Sequence, residues 1–113
     1  MGGRVTFLGE FEQVVLLAVV RLGDEAYGAT IRREIESRAG RHVSIGAAYA
    51  TLDRLTEKGY LRAREESGDA ERGGRARRFF TVTQSGIVAL EEARELQMRM
   101  WAGIHLRRPA RKS

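Results

Sequence analysis

The hydrophobic period of the chain changes once, just after Gly59, and this limits the fold more than any other feature. Before it lie three helical stretches. In "GEFEQVVLLAVVRLG" (Gly9 to Gly23) the apolar run Val14 to Val20 alone would also suit a buried strand. The length, the acidic start at Glu10 and Glu12, and the stop at Gly23 favour a helix. Its almost wholly apolar middle predicts burial on more than one side. "EAYGATIRREIESRAG" places Ile31 and Ile35 on one face and ends at Gly40. "VSIGAAYATLDRLTEKGYL" (Val43 to Leu61) offers Ser44 as N-cap and Gly59 as terminator, with Ile45, Ala48, Leu52 and Leu55 gathered on one side. After Gly59, "YLRAREE" alternates and "RRFFTVT" is aromatic and β-branched. The segment between them, "SGDAERGGRA", makes the pair a β-hairpin with a long, flexible tip. Thr83 then caps a last helix, "QSGIVALEEARELQMRMWAGIHL", running to Leu106 before Pro109.

Three helices and a hairpin form a winged helix-turn-helix, with the second and third helices as the crossing pair. The expected class is therefore mainly α with a small β-hairpin (α+β), plus a long C-terminal dimerisation helix. The expected division is a flexible arm (1–8), the winged helix-turn-helix (9–83), the dimerisation helix (84–106) and a basic disordered tail (107–113). A length of 113 residues suits one domain with a small core. With no cysteine, disulfides and thiolate metal sites are excluded, and a cytoplasmic location is expected, at the nucleoid when bound to DNA. The apolar run is far too short for a membrane span, so no membrane partner is expected.

The net charge is +5, and all 20 cations but Lys58 and Lys112 are arginine. Arginine suits phosphate and guanine through its planar fork. The codon usage of a GC-rich genome gives the same enrichment. Much of the net charge falls in the final "RRPARKS", so a basic surface must be argued locally.

The third helix carries the sharpest local signal. Opposite its core face, at its start, lie Gly46, Ala47 and Ala50, with Tyr49 on the flank. In a winged helix-turn-helix the third helix enters the major groove, N-terminal residues first. Short side chains let its backbone approach the groove floor, and an alanine methyl can touch a thymine methyl. Ser44 and Tyr49 add hydroxyls, and Arg54 is placed to reach the DNA backbone. Alanine is also the best helix former, which explains Ala47 and Ala50 but not Gly46. In the wing tip, Arg72, Arg75, Arg77 and Arg78 surround Gly73 and Gly74, a combination that fits a narrow groove of concentrated negative potential. The acids nearby leave an ordinary solvated loop as the other reading.

Leu90, Ala93, Leu96, Met100 and Ile104 recur at three to four residues along the last helix, with Trp101 beside them. Leu90 and Ile87 are expected in the winged-helix core. From Leu96 onward the stripe has no evident partner in one chain. Ala93, Leu96, Met100, Trp101 and Ile104, together with Val15 and Val19 of the first helix, are expected to meet a second protomer. Folding back onto the chain's own first helix is the alternative.

Enzyme chemistry finds no support. His42 and His105 lack ligand spacing, "RGGR" is no phosphate loop, and the Glu65–Glu66 and Glu91–Glu92 pairs mark solvated faces. No cofactor or metal is called for.

"YGATIRREIE", "SIGAAYATLDRLTEKGYL" and "GGRARRFFTVTQSG" together resemble the PadR family of bacterial transcriptional regulators over nearly the whole chain. The shared marks are Tyr49, the Leu52, Leu55 and Gly59 ending, and the Phe80, Thr83 and Gly86 exit. The family often has tyrosine where Phe80 stands. The resemblance implies a homodimeric repressor of the compact subgroup, bound to a pseudo-palindromic double-stranded operator and released by a hydrophobic or aromatic small molecule. Drug-binding members stack their ligand on a tryptophan of the last helix. That position is Gln97 here, and Trp101 lies one turn later. Gln97 and Trp101, with Met98 and Met100 near them, are the candidate effector residues, with a core or interface role the alternative for Trp101. A winged-helix protein-interaction module and a non-specific architectural DNA binder remain as rival functions.

Overall fold

A computed structural model describes residues 7–66 and 76–109. Helix α1 spans Glu10–Leu22. It starts where the Glu12 carboxylate turns back to accept the Gly9 N–H at 2.8 Å, and it stops at Gly23, whose φ is 57°. A 3₁₀ turn, Gly23–Glu25, follows. Helix α2 is Gly28–Ala39, closed by Gly40 at φ 68°. Helix α3 is Ile45–Glu57, capped by Ser44 Oγ, which accepts the Ala47 N–H at 3.1 Å. Strands β1 (Leu61–Glu66) and β2 (Arg77–Val82) pair antiparallel, with Leu61 opposite Val82 and Ala63 opposite Phe80. Helix α4 is Gln84–Trp101. This is a winged helix-turn-helix followed by one long helix.

The core forms where the three helices meet one face of the hairpin. Leu16 and Val19 of α1, Ile31 of α2, Leu52 and Leu55 of α3, and Phe80 of β2 are all but fully buried. The strand period of two turns Leu61 and Phe80 inward and leaves Arg62, Arg64, Arg77 and Phe79 on the outer face. The join from wing to α4 is tight. Thr83 Oγ1 accepts the Gly86 N–H at 3.1 Å and donates to the Gly59 carbonyl at 2.6 Å. A Cβ on Gly86 would run into the Tyr60 carbonyl and Val82, so α4 begins directly against backbone.

Five expectations need correction. Ala26 and Tyr27 are not helical but extended. Thr30 Oγ1 accepts the Tyr27 N–H at 3.0 Å, which delays α2 to Gly28 and leaves the Ala26 carbonyl to accept the Phe80 N–H at 2.9 Å. Tyr27 thereby bridges Phe79 as a one-residue third strand. Leu8, assigned to the flexible arm, is buried in the core, and its carbonyl accepts from the Gln13 side chain at 3.0 Å. Ile45 is 48% exposed because the first turn of α3 projects beyond the core that Ala48 and Leu52 join. The apolar run of α1 is covered on one side only, for Leu17 and Val20 stay half exposed. Helix α4 ends at Trp101 rather than Leu106. Ala102 leaves helical geometry, and Gly103 at φ 77° turns the chain away.

Candidate nucleic-acid interface

The start of α3 is held from three directions. Its N-cap is Ser44. Before it, the turn from α2 is pinned by two side chains of α2. Arg32 Nε donates to the Val43 carbonyl at 3.0 Å, and Glu36 accepts the Val43 N–H at 2.9 Å while lying 3.0 Å from His42 Nδ1. The Val43 N–H, helped by His42 and Arg32, holds the Glu36 carboxyl below the usual carboxylate range. On the flank, Tyr49 lies over Gly28 at the start of α2, so closely that a Cβ there would overlap its hydroxyl.

Farther along α3, Glu12 of α1 acts as a clamp. It is 7% exposed. One oxygen caps α1, and the other accepts from Arg54 Nε at 3.1 Å and Lys58 Nζ at 2.8 Å. Burial alone would raise this carboxyl. The bonds from Lys58, the Gly9 N–H and Arg54 outweigh it and lower the pKa from the ordinary 4.5.

With α3 so fixed, Ser44, Gly46, Ala47, Tyr49 and Ala50 form one exposed face. No neighbouring atom lies within 4 Å of the place a Gly46 Cβ would take. Asp53, farther along α3, is tied to the wing by Arg78 Nη2 at 3.1 Å. Arg77 lies over the Tyr27 ring, 4.6 Å from its centroid. Arg72, Gly73, Gly74 and Arg75 lie outside the described residues.

Arg54, placed by sequence at the DNA backbone, stays half exposed and bonds Glu12 and Thr51, because α3 presents Arg54 and Lys58, one turn apart, to the start of α1. One site expectation changes. Val15 and Val19, expected to meet a partner, are buried in the protomer's own core, at 0% and 2% exposure. The side of α1 that remains open carries Leu17 and Val20. On α4, Ala93 and Leu96 are partly covered, whereas Met100, Trp101 and Ile104 are exposed, Ile104 now beyond the helix end. Gln97 lines a groove of about 600 Å³ with Phe7, Leu8, Gln13, Ala93 and Leu96. Trp101 belongs to a separate hollow of about 220 Å³ with Met100, Ile104 and Leu106. Among the described residues, the two candidate effector residues thus line different hollows.

The residues missed by sequence reasoning are Glu12, Arg32, Glu36 and Asp53. Only the i,i+4 spacing of Arg32 and Glu36 gave a local signal. Among the described residues no helix is long and apolar enough to cross a membrane, and no cluster of three or more acidic or histidine side chains is placed to hold a metal ion.

The fold has known counterparts. The chain is 41% identical over 71 residues to the transcriptional regulator Rv3488 of Mycobacterium tuberculosis, an alignment covering 63% of this chain and 62% of that one. The chain thus matches less than two thirds of that relative's length. A PadR family transcriptional regulator from Eggerthella lenta superposes with a TM-score of 0.64 at 22% identity, over 83% of this chain and 81% of its own. F93 from STIV, a winged-helix DNA-binding protein, superposes with a TM-score of 0.65 at 22% identity, over 88% of this chain and 100% of its own. Residues 16–92 match the family model described as the transcriptional regulator PadR-like family. The chain belongs to the PadR-like family of transcriptional regulators.

Proposed function

We propose that the protein is a homodimeric repressor that binds a pseudo-palindromic operator through α3 and the wing, acting on DNA in the cytoplasm. The observation that carries this reading is the open face of Gly46, Ala47 and Ala50 at the start of a helix braced by Glu12, Glu36 and Gly28. A rigid helix with a side-chain-poor leading face suits insertion into a major groove, where Ser44 and Tyr49 supply polar contacts. The exposed apolar end of α4 supports pairing with a second copy, which would set two recognition helices roughly 34 Å apart. Release by an aromatic or hydrophobic effector is the third part of the reading. Its candidate positions are the Gln97 groove and the Trp101 hollow.

The test is a gel-shift titration against the protein's own upstream DNA with scrambled competitor. Specific retention supports the repressor. Equal binding to both DNAs supports an architectural protein, and no binding at low salt supports a protein-interaction module. Ala50→Glu is expected to abolish specific retention with the circular-dichroism melt unchanged.

A further inference from the structure

The outer face of the wing carries a ladder of alternating cations and rings. Arg64 of β1 pairs in register with Phe79 of β2, and Phe79 bridges Tyr27. The Arg64 guanidinium stands 4.8 Å from the Phe79 centroid, and Arg77 stands 4.6 Å from the Tyr27 centroid. The two rings meet edge to face at 5.3 Å. Each guanidinium thus lies over a ring, an arrangement that holds the cation while its N–H edge can still face outward. Glu66 takes part of Arg64, at 3.1 Å from Nη1. The ladder is also continuous with α3, for Tyr27 is followed by Gly28, on which Tyr49 rests.

Resting on the DNA-binding reading above, we propose that Tyr27 and Phe79 are positioning residues that hold Arg77 and Arg64 against phosphates of the duplex beside the groove entered by α3. The single extended pair at Tyr27 and Phe79 has a function in this arrangement. It brings a ring from the start of α2 under an arginine of the wing, so that helix and wing present one phosphate-binding surface. A planar cation fixed on a ring loses less freedom on binding an anion than one on a free side chain.

The experiment compares wild type, Tyr27→Phe, Tyr27→Leu and Arg64→Ala on upstream DNA by fluorescence anisotropy at several salt concentrations, with the melting temperature of each. Tyr27→Phe keeps the ring and is expected to bind as wild type. Tyr27→Leu and Arg64→Ala are expected to lose about three- to tenfold in affinity. Their plots of log K against log salt are expected to flatten by about 0.9 for each phosphate no longer neutralised. Wild-type slopes in both variants overturn the proposal while leaving the repressor reading intact. So does a lower melting temperature in Tyr27→Leu with the slope unchanged, which would assign the ring to packing alone. A wild-type protein that retains no duplex at low salt overturns both.

Discussion

Tyr49 rests on Gly28, and the contact leaves no room for a side chain at position 28. It gives a structural reason both for the tyrosine inside α3 and for the glycine opening α2. The pair sets how closely α3 approaches α2. Part of the tyrosine is thereby committed to the protein, and the remainder, 37% of the residue's surface, is left for the exposed face.

Gly28→Ala is therefore expected to destabilise the fold by about 1–3 kcal/mol, since one methyl must displace a ring. Tyr49→Ala removes the obstacle. In urea unfolding, the double variant should fall short of the sum of the two single effects, because neighbouring sites couple. Strict additivity would mean that the ring does not lie over Gly28 in solution.

Glu12 gives the fold a defined response to acid. Its folded pKa lies below the ordinary 4.5, so the stability it contributes is fully present above that value and is lost as pH falls through the folded pKa. Arg54 and Lys58 are 50% and 33% exposed, which limits the worth of the clamp. Glu12→Gln is expected to cost about 1–2 kcal/mol at neutral pH. The gap between wild type and variant should stay constant from pH 7 to about 4.5 and close below it. A gap that persists unchanged to pH 3 would remove the carboxylate charge as its source.

The order of elements, the caps at Ser44 and Thr83 and the stops at Gly23, Gly40 and Gly59 were legible because each depends on a few adjacent residues. So was the bare face of α3, which is a matter of helical period. The Glu12 clamp was not, since its partners lie 42 and 46 residues away and an acid in a first turn reads as a simple dipole effect. Tyr27 was misplaced for a partly related reason. Thr30 caps α2 locally at Tyr27, but the strand that holds Ala26 and Tyr27 extended lies more than fifty residues later. The end of α4 was overshot because "AGIHL" continues the apolar spacing and only the backbone at Gly103 breaks it.

Gly86 and Thr83 make the junction between wing and α4 sensitive to small changes. Gly86→Ala is expected to destabilise by about 1–3 kcal/mol, because a backbone carbonyl cannot move aside as a side chain can. Thr83→Val keeps the shape but removes the cap of α4 and the bond to Gly59, at about 1–2 kcal/mol. Thermal melts of both variants test this. A Gly86→Ala protein as stable as wild type would mean that α4 sits farther from Tyr60 than the structure places it.

The exposed end of α4 predicts an oligomer. Met98, Met100 and Trp101 are 59%, 70% and 52% exposed, and Leu17 and Val20 of α1 are open as well. Such apolar surface is costly in water unless a partner covers it. Sedimentation equilibrium at micromolar concentration should give twice the 12.7 kDa chain mass. Met100→Asp puts a charge where a dry interface is expected and should shift the protein toward monomer. Its helical circular dichroism should be kept, because Met100 is largely exposed in the protomer. Glu91→Ala, on an exposed position in the middle of α4, should leave the mass unchanged. A wild-type chain that sediments as a monomer at all concentrations would leave α4 as a free helix and remove the basis for a two-fold operator.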